Sequence, residues 1–403
     1  MSILLFSFLF LALTADALMT FMVPVVVYLL TGSIEYSGLS YAVWWLPRLL
    51  LIPMIGQCID NVGIRPLSII SDIIKTAGCL FLIFQNSADP LVISIMFGVV
   101  GSLVSIGNSQ TLISYEKIIA TLSRAREHHI NLMSRMDFLA MVIGPVVGIL
   151  LIDFGYKYLL IIPCLLYFLN AGYFSWVRLN PIKKVNSKNP GSVVGRQAVS
   201  SLGFIASVPV LLGVIFLSMG NNMFDGLIES SGAALVELNM NMPVKYFGVI
   251  DIVAGAFGVL GTYAYGATRI RMKRPRLLLM GLFFVVFPSL FLIAFPASFV
   301  IFVLCYAMSI FGKVVCGNVG RMIRIEVIPL HRLASTSSVI VMLNQSVLPI
   351  VGMSLFFWGK STDVVYFLMM LSVMVTLASG CFLVRELSKA VGQPGRFPGD
   401  APG

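Results

Sequence analysis

The side chains able to do chemistry in this chain stand where charge is expensive. Asp16 lies in Leu-Thr-Ala-Asp-Ala-Leu-Met-Thr, in the middle of an apolar run that extends to Leu30. An ionised group at the centre of a bilayer costs roughly 3 kcal/mol or more, so a partner, a water-filled cavity or a bound proton must accompany it. Lys75 and Arg48 are the candidate partners, and Asp72 is placed to form a structural ion pair with Lys75. A carboxyl group that carries a coupling proton needs a pKa near neutrality, which burial supplies.

A second group sits in FLSMGNNMFDGLIESSGAALVELNMNMP, which is too polar and too rich in glycine for a continuous lipid-facing helix. A broken span is expected there, because non-helical backbone at membrane depth is tolerated where it lines a cavity. Asn221, Asn222, Asp225 and Glu229 are then candidates for a central pathway, unless an outer loop begins early at Asp225. Asp251 and Lys313, each in a later apolar run, could face the same cavity. Ser102, Ser105, Asn108, Ser109 and Gln110 form a polar stretch that either faces a solute or hydrogen-bonds other helices.

Metal and enzyme chemistry find little support. The 3 histidines, His128, His129 and His331, fall in polar segments between apolar runs, so no imidazole is expected inside the bundle for a borderline transition metal. The 6 cysteines (Cys58, Cys79, Cys164, Cys305, Cys316, Cys381) are scattered without CxxC spacing and read as small apolar packing residues. No HExxH, GxSxG or phosphate-binding glycine loop is present, so neither an enzyme nor a cofactor is expected.

The elements that must position these residues follow from composition. The chain is 58% hydrophobic and 11% charged over 403 residues, where soluble domains carry roughly a quarter charged residues. A spanning helix needs about 20 largely apolar residues. Apolar runs at 3–30, 39–58, 66–86, 90–115, 132–152 and 157–178, then 204–230, 244–268, 276–294, 297–320, 333–357 and 363–384 supply twelve. The first run has no basic leader or small-residue cleavage site and is expected to be a retained span. The fold class expected is all-α: residues 1–178 as an N-terminal six-helix bundle, 179–203 as a polar cytoplasmic linker, 204–386 as a C-terminal six-helix bundle and 387–403 as a disordered tail.

Charge sets the expected orientation. With the N-terminus inside, the inner loops collect Arg65, Lys117, Arg124 and Arg126, the linker lysines, the Arg269-to-Arg276 cluster, Arg321, Arg324 and Arg332, while only Lys157, Lys245 and Lys360 remain outside. Both termini are therefore expected in the cytoplasm. The net charge of +10 reflects this topology, with no nucleic-acid partner implied. The basic RIRMKRPR segment could contact anionic lipid, although a positive inner loop accounts for it.

Two motifs carry more. At the end of the second run, Gly56-Gln57-Cys58-Ile59-Asp60-Asn61-Val62-Gly63-Ile64-Arg65 resembles the loop signature G-x-x-x-D-x-x-G-x-(R/K) of the major facilitator superfamily of transporters. In the fifth run, Gly144-Pro145-Val146-Val147-Gly148 resembles the GPxxG core that marks exporters and antiporters of that superfamily, with Ala140 where an outer glycine is expected. Gly56 would permit close helix approach and Gly63 a tight turn, with Asp60 and Arg65 forming a cytoplasmic gate cluster. Pro145 would bend its helix and the flanking glycines would seat it on a neighbour.

Several stretches further resemble the ferroportin branch: Asp16 with its apolar run to Tyr28, Asn131 to Gly148 with Arg135-x-Asp137, the Phe224-Asp225 pair, and Arg321 to Gln345. That resemblance places Asp16 where the first metal site keeps its acid and groups Arg135 and Asp137 with the cytoplasmic gate. It also shows Thr20 where a histidine is expected, and Gly226 where a cysteine is. A relative without soft and nitrogen ligands, retaining acids, amides and aromatics (Tyr28, Trp44, Trp45, Tyr263, Tyr265), suits a polar organic solute such as a siderophore, metallophore or amphiphilic drug. The resemblance implies alternating access, proton-coupled export across the cytoplasmic (inner) membrane and a monomer. Divalent metal export, organic-solute uptake and a non-transporting sensor on the same fold are the competing readings.

Overall fold

The computed structural model describes residues 3–122, 126–177, 200–329 and 333–391; within helices, the side chains of some residues, Asp60 among them, also lie outside the described residues. Six helices form the first half: α1 (Ile3–Thr31), α2 (Ile34–Val62), α3 (Ile64–Phe84), α4 (Pro90–Leu122), α5 (Arg126–Leu151) and α6 (Tyr156–Trp176). The second half holds α7 (Pro209–Leu238), α8 (Phe247–Thr268), α9 (Arg274–Ala294), α10 (Phe299–Val327), α11 in two pieces, α11a (Leu333–Gln345) and α11b (Val347–Trp358), and α12 (Thr362–Val391). No strand occurs among the described residues.

Among the described residues, 11 helices are long and apolar enough to cross a membrane, with the two pieces of α11 forming one span. The remaining element of the first half is α2, 29 residues long and carrying Glu35, Arg48 and Asp60. Its start is fixed by Ser33, whose hydroxyl accepts from the Glu35 amide at 3.1 Å, with the Glu35 charge in the first turn favoured by the helix dipole. Its end is fixed by Gly63, whose φ of 97° is left-handed backbone that a side chain would oppose.

The helices pack into two bundles. In the first, α1 lies on α5 and α6, α2 on α4, and α3 on α6 and α4; in the second, α7 lies on α12, α8 on α10, and α9 on α10 and α12. The bundles meet along α2 with α11b and along α5 with α8. At the first seam a Cβ on Gly352 would fall 2.5 Å from the Gly38 carbonyl oxygen, a distance only glycine allows.

Two sequence expectations change here. The span at 209–238 is a single continuous helix, not a broken one. Its polar side chains are satisfied without breaking the backbone: Ser230 and Ser231 donate to the carbonyls of Gly226 and Leu227 at 2.5 and 2.6 Å. Its glycines sit against protein, Gly220 on Thr376 of α12 and Gly226 on Leu348 of α11b, so the polar, glycine-rich face of the helix is packed within the molecule. The interruption falls instead in α11, at Ser346, where the Asn344 carbonyl takes a 2.8 Å hydrogen bond from the Asn222 amide. The linker expectation meets helix at 200–207, α12 runs on to Val391, and residues 178–199 and 392–403 lie outside the described residues.

Candidate functional site

The interface between the bundles encloses a cavity of about 570 Å³. Its walls come from α1, α2, α4 and α5 on one side and α7, α8 and α10 on the other. At the end away from both termini the bundles are joined. Tyr28 donates to Glu237 at 2.7 Å, Ser37 to the Ser230 carbonyl at 2.6 Å, and Lys245 to Asp153 at 2.5 Å. Closest to the cavity, the Tyr41 hydroxyl donates to Glu229 at 2.7 Å. The cavity extends from beneath these contacts toward the end that carries the termini, down to Leu13, Leu112 and Val314.

In the first bundle Asp16 and Lys75 form a buried ion pair, 1% and 0% exposed. The Lys75 ammonium donates to both Asp16 oxygens at 2.9 and 3.3 Å, and the Tyr167 hydroxyl donates to Oδ1 at 2.7 Å. The Lys75 side chain has room because Gly107 faces it: a Cβ there would sit 2.2 Å from Cε. Asp72, expected to pair with Lys75, instead accepts from Asn170 at 2.6 Å and leaves its other oxygen unpartnered. The Asp16–Lys75 pair is tolerated in this interior because each end has a donor or acceptor of matched geometry.

The second bundle repeats the arrangement. Lys313 on α10 donates to Asp225 on α7 at 2.5 Å, Tyr306 donates to the same oxygen at 3.2 Å, and the ammonium lies over the Phe224 ring at 4.6 Å. Asp225 and Glu229 thus stand on α7 with the same four-residue spacing as Asp16 and Thr20 on α1, with Asp16 and Asp225 each backed by a lysine and a tyrosine.

Of the residues expected along the pathway, Asp16, Thr20, Asn108, Asp225, Glu229 and Asp251 line the cavity. Thr20 uses its hydroxyl on the Asp16 carbonyl at 2.9 Å. Asn221 and Asn222 do not line it: Asn221 faces Thr376 of α12 and Asn222 holds the α11 interruption, since both lie on the side of α7 turned into its own bundle. Lys313 reaches the cavity only through Asp225. In α4, Ser105 and Asn108 face the cavity, whereas Gln110 bonds Ser68 and Ser114 at 3.0 and 2.8 Å. Of the expected aromatics, Trp44 and Trp45 line the cavity. Tyr263 does not line it and is 67% exposed on the surface of α8.

The expected gate residues divide. Asp137 lines the cavity, away from Arg135, which is exposed: two residues apart on a helix, their side chains point in different directions. Arg65 donates to the carbonyls of Phe174, at 2.9 Å, and of Ser175, filling acceptors left open at the end of α6. The surroundings of Gly56 and Asp60 lie outside the described residues, as do His331 and the side chain of His128. Gly144 and Gly148 seat α5 on α1, where added Cβ atoms would come 2.6 Å from the Leu18 amide nitrogen and 2.3 Å from the Phe21 ring.

Two wall residues were missed as cavity groups. Arg48 lies over the Trp45 ring at 4.7 Å and donates to Ser105 at 2.9 Å, and Tyr41 bridges the bundles. The one signal for Arg48 was its charge inside an apolar run; for Tyr41 there was none.

This two-bundle architecture around a central cavity agrees with the sequence match, which runs over residues 4–353 to the family described as Major Facilitator Superfamily. The chain belongs to the major facilitator superfamily. It is accordingly a multi-pass membrane transporter that handles a small molecule. No curated protein matches it by sequence. Among solved structures it is similar to a bacterial homologue of the iron transporter ferroportin in an inward-facing state, with 17% identity, 96% of this chain and 100% of that one covered, and a TM-score of 0.75. It is also similar to a nucleoside transporter (11% identity, 95% and 98% covered, TM-score 0.74). A peptide transporter gives 14% identity, 96% and 95% covered, and a TM-score of 0.73. Identities at this level establish the fold alone.

Proposed function

We propose that this protein is a secondary active transporter that exports a small polar or amphiphilic organic solute in exchange for protons, working by alternating access. The observation that carries the reading is the cavity itself. It lies at the seam between two bundles, is closed by polar contacts at one end, and is walled by acids, amides and aromatic rings. A rocking motion that broke the Tyr28–Glu237, Tyr41–Glu229 and Lys245–Asp153 contacts would expose the same cavity to the opposite side.

Asp16 and Asp225 suit proton coupling because each is paired with a buried lysine, so a proton on the acid and a charge on the lysine compete for one site. The same pairing weighs against direct metal ligation by Asp16, since Lys75 and Tyr167 already occupy its oxygens. Among the described residues no three His, Cys, Asp or Glu side chains converge on one point, and the cavity wall offers one thioether, Met141, with no thiolate or imidazole donor. The basic loops support placement in the cytoplasmic membrane with both termini inside, and the family resemblance suits a monomer.

The test is transport by purified protein in liposomes under an imposed pH gradient. Hydroxamate siderophores and amphiphilic cations are offered as organic substrates, and ferrous ion as the competing one. Gradient-driven movement of an organic solute, lost in Asp225→Asn, supports the proposal. Ferrous movement that depends on Asp16, without organic transport, would favour ferroportin-like metal export and sink it.

A further inference from the structure

Resting on that reading, we infer that the cavity takes an amphoteric solute, with its anionic group held by Arg48 and its cationic group by Asp251. Partners and position across the cavity point to these two. Asp16 is neutralised by Lys75 and Asp225 by Lys313, neither lysine being part of the cavity wall. Glu229 is held by the Tyr41 hydroxyl. Arg48, Asp137 and Asp251 make no ion pair among the described residues; Asp137 stands in the same bundle as Arg48, whereas Asp251 faces the guanidinium from the other bundle.

Arg48 projects from α2 on one wall. One guanidinium nitrogen donates to Ser105 and the plane covers Trp45, while Nε is buried with no partner. A guanidinium left with open donors fits a carboxylate or another planar anion. Asp251 projects from α8 on the opposite wall, and it has no hydrogen-bond or ion-pair partner among the described residues. A carboxylate in that position fits a protonated amine.

Between them the wall is aromatic: Trp44, Trp45 and Tyr306 line it with Phe247. A solute with an apolar or aromatic body and opposite charges at its two ends would compensate both groups at once. A simple organic cation would leave the buried Arg48 Nε donor without a partner and an anion would leave Asp251 without one, each with its desolvation cost. The cavity volume falls within the range of pockets that enclose small organic molecules.

The experiment uses the full-length protein in detergent and liposomes. Phenylalanine-containing di- and tripeptides with free ends serve as amphoteric probes, the same peptides with amidated C-termini as cations, and with acetylated N-termini as anions. Binding is read by quenching of tryptophan fluorescence and by calorimetry. The free peptides are expected to bind about tenfold more tightly than either capped form, the effect of one charge-assisted hydrogen bond. Arg48→Gln should erase their advantage over the amides, and Asp251→Asn their advantage over the acetylated forms. Arg48→Lys and Asp251→Glu, which keep the charges, should retain part of it and control for misfolding.

Equal binding of free and amidated peptides with no effect of Arg48→Gln overturns the assignment in favour of a cation site. Failure of every free peptide to bind also overturns it. If siderophores or amphiphilic cations are still driven by the pH gradient in that case, the transport reading survives; if no solute moves under any gradient, that reading fails with it.

Discussion

The Tyr41 hydroxyl on α2 and the Glu229 carboxylate on α7 lie 2.7 Å apart, so an acid on the cavity wall is also a rivet between the two bundles. Whatever changes the charge or contacts of Glu229 acts at once on the joint that keeps one end shut. In the proposed transport cycle, a proton or solute that engaged Glu229 would act on this joint through the same carboxylate.

Tyr41→Phe removes the donor without removing the ring. A hydrogen bond to a charged group contributes about 1.5–3 kcal/mol, so the population open at the far end should rise roughly 10- to 100-fold. The labelling rate of a cysteine introduced at Thr31, in a background lacking the native cysteines, reads that population. An unchanged rate would mean the other three contacts hold the joint alone.

Lys75→Met should be severely destabilising, because it leaves Asp16 buried beside Tyr167 without its cation. Breaking a buried pair from one side costs about 3–5 kcal/mol, while removing both charges costs less. The double variant Asp16→Asn with Lys75→Met is therefore expected to melt above Lys75→Met alone in detergent. Additive losses across this cycle would show that the two side chains do not interact.

Gly144→Ala should harm the protein more than Gly148→Ala. The new methyl at position 144 meets the backbone of α1 at Ala17 and Leu18, which cannot give way without moving Asp16. At position 148 it meets the Phe21 ring, which can rotate. Overpacking of the first kind costs about 1–3 kcal/mol, and thermal melting together with transport rates will rank the two variants.

Asn222→Ala should loosen the interruption in α11, since the Asn344 carbonyl loses its only side-chain donor there. Stranding a buried acceptor costs about 1–3 kcal/mol. Faster hydrogen exchange confined to α11a and α11b is expected, with α7 itself unchanged; exchange that rises equally throughout the second bundle would contradict a local role.

Composition and loop charge alone made the membrane spans legible, because a bilayer demands about 20 apolar residues per crossing whatever they pack against. The turn at Gly63 and the tight α1–α5 seam at Gly144 and Gly148 were legible for a similar reason: a glycine at a fixed spacing leaves few alternatives. The acids Asp16, Asp225, Glu229 and Asp251 stood out because ionisable groups are rare at that depth.

Only the tertiary structure decided which charges meet. Lys75 pairs with Asp16, in another helix, and not with Asp72, one turn away on its own. Asn221 and Asn222 turn away from the cavity that Asp225 and Glu229 face. The physical reason is that lipid and bundle interior are both apolar, so helices such as α1 and α7 show no clear polar stripe to set their rotation. That rotation comes from glycine seams and cross-helix hydrogen bonds, and with it comes the choice between a helix-packing amide and a cavity-lining acid.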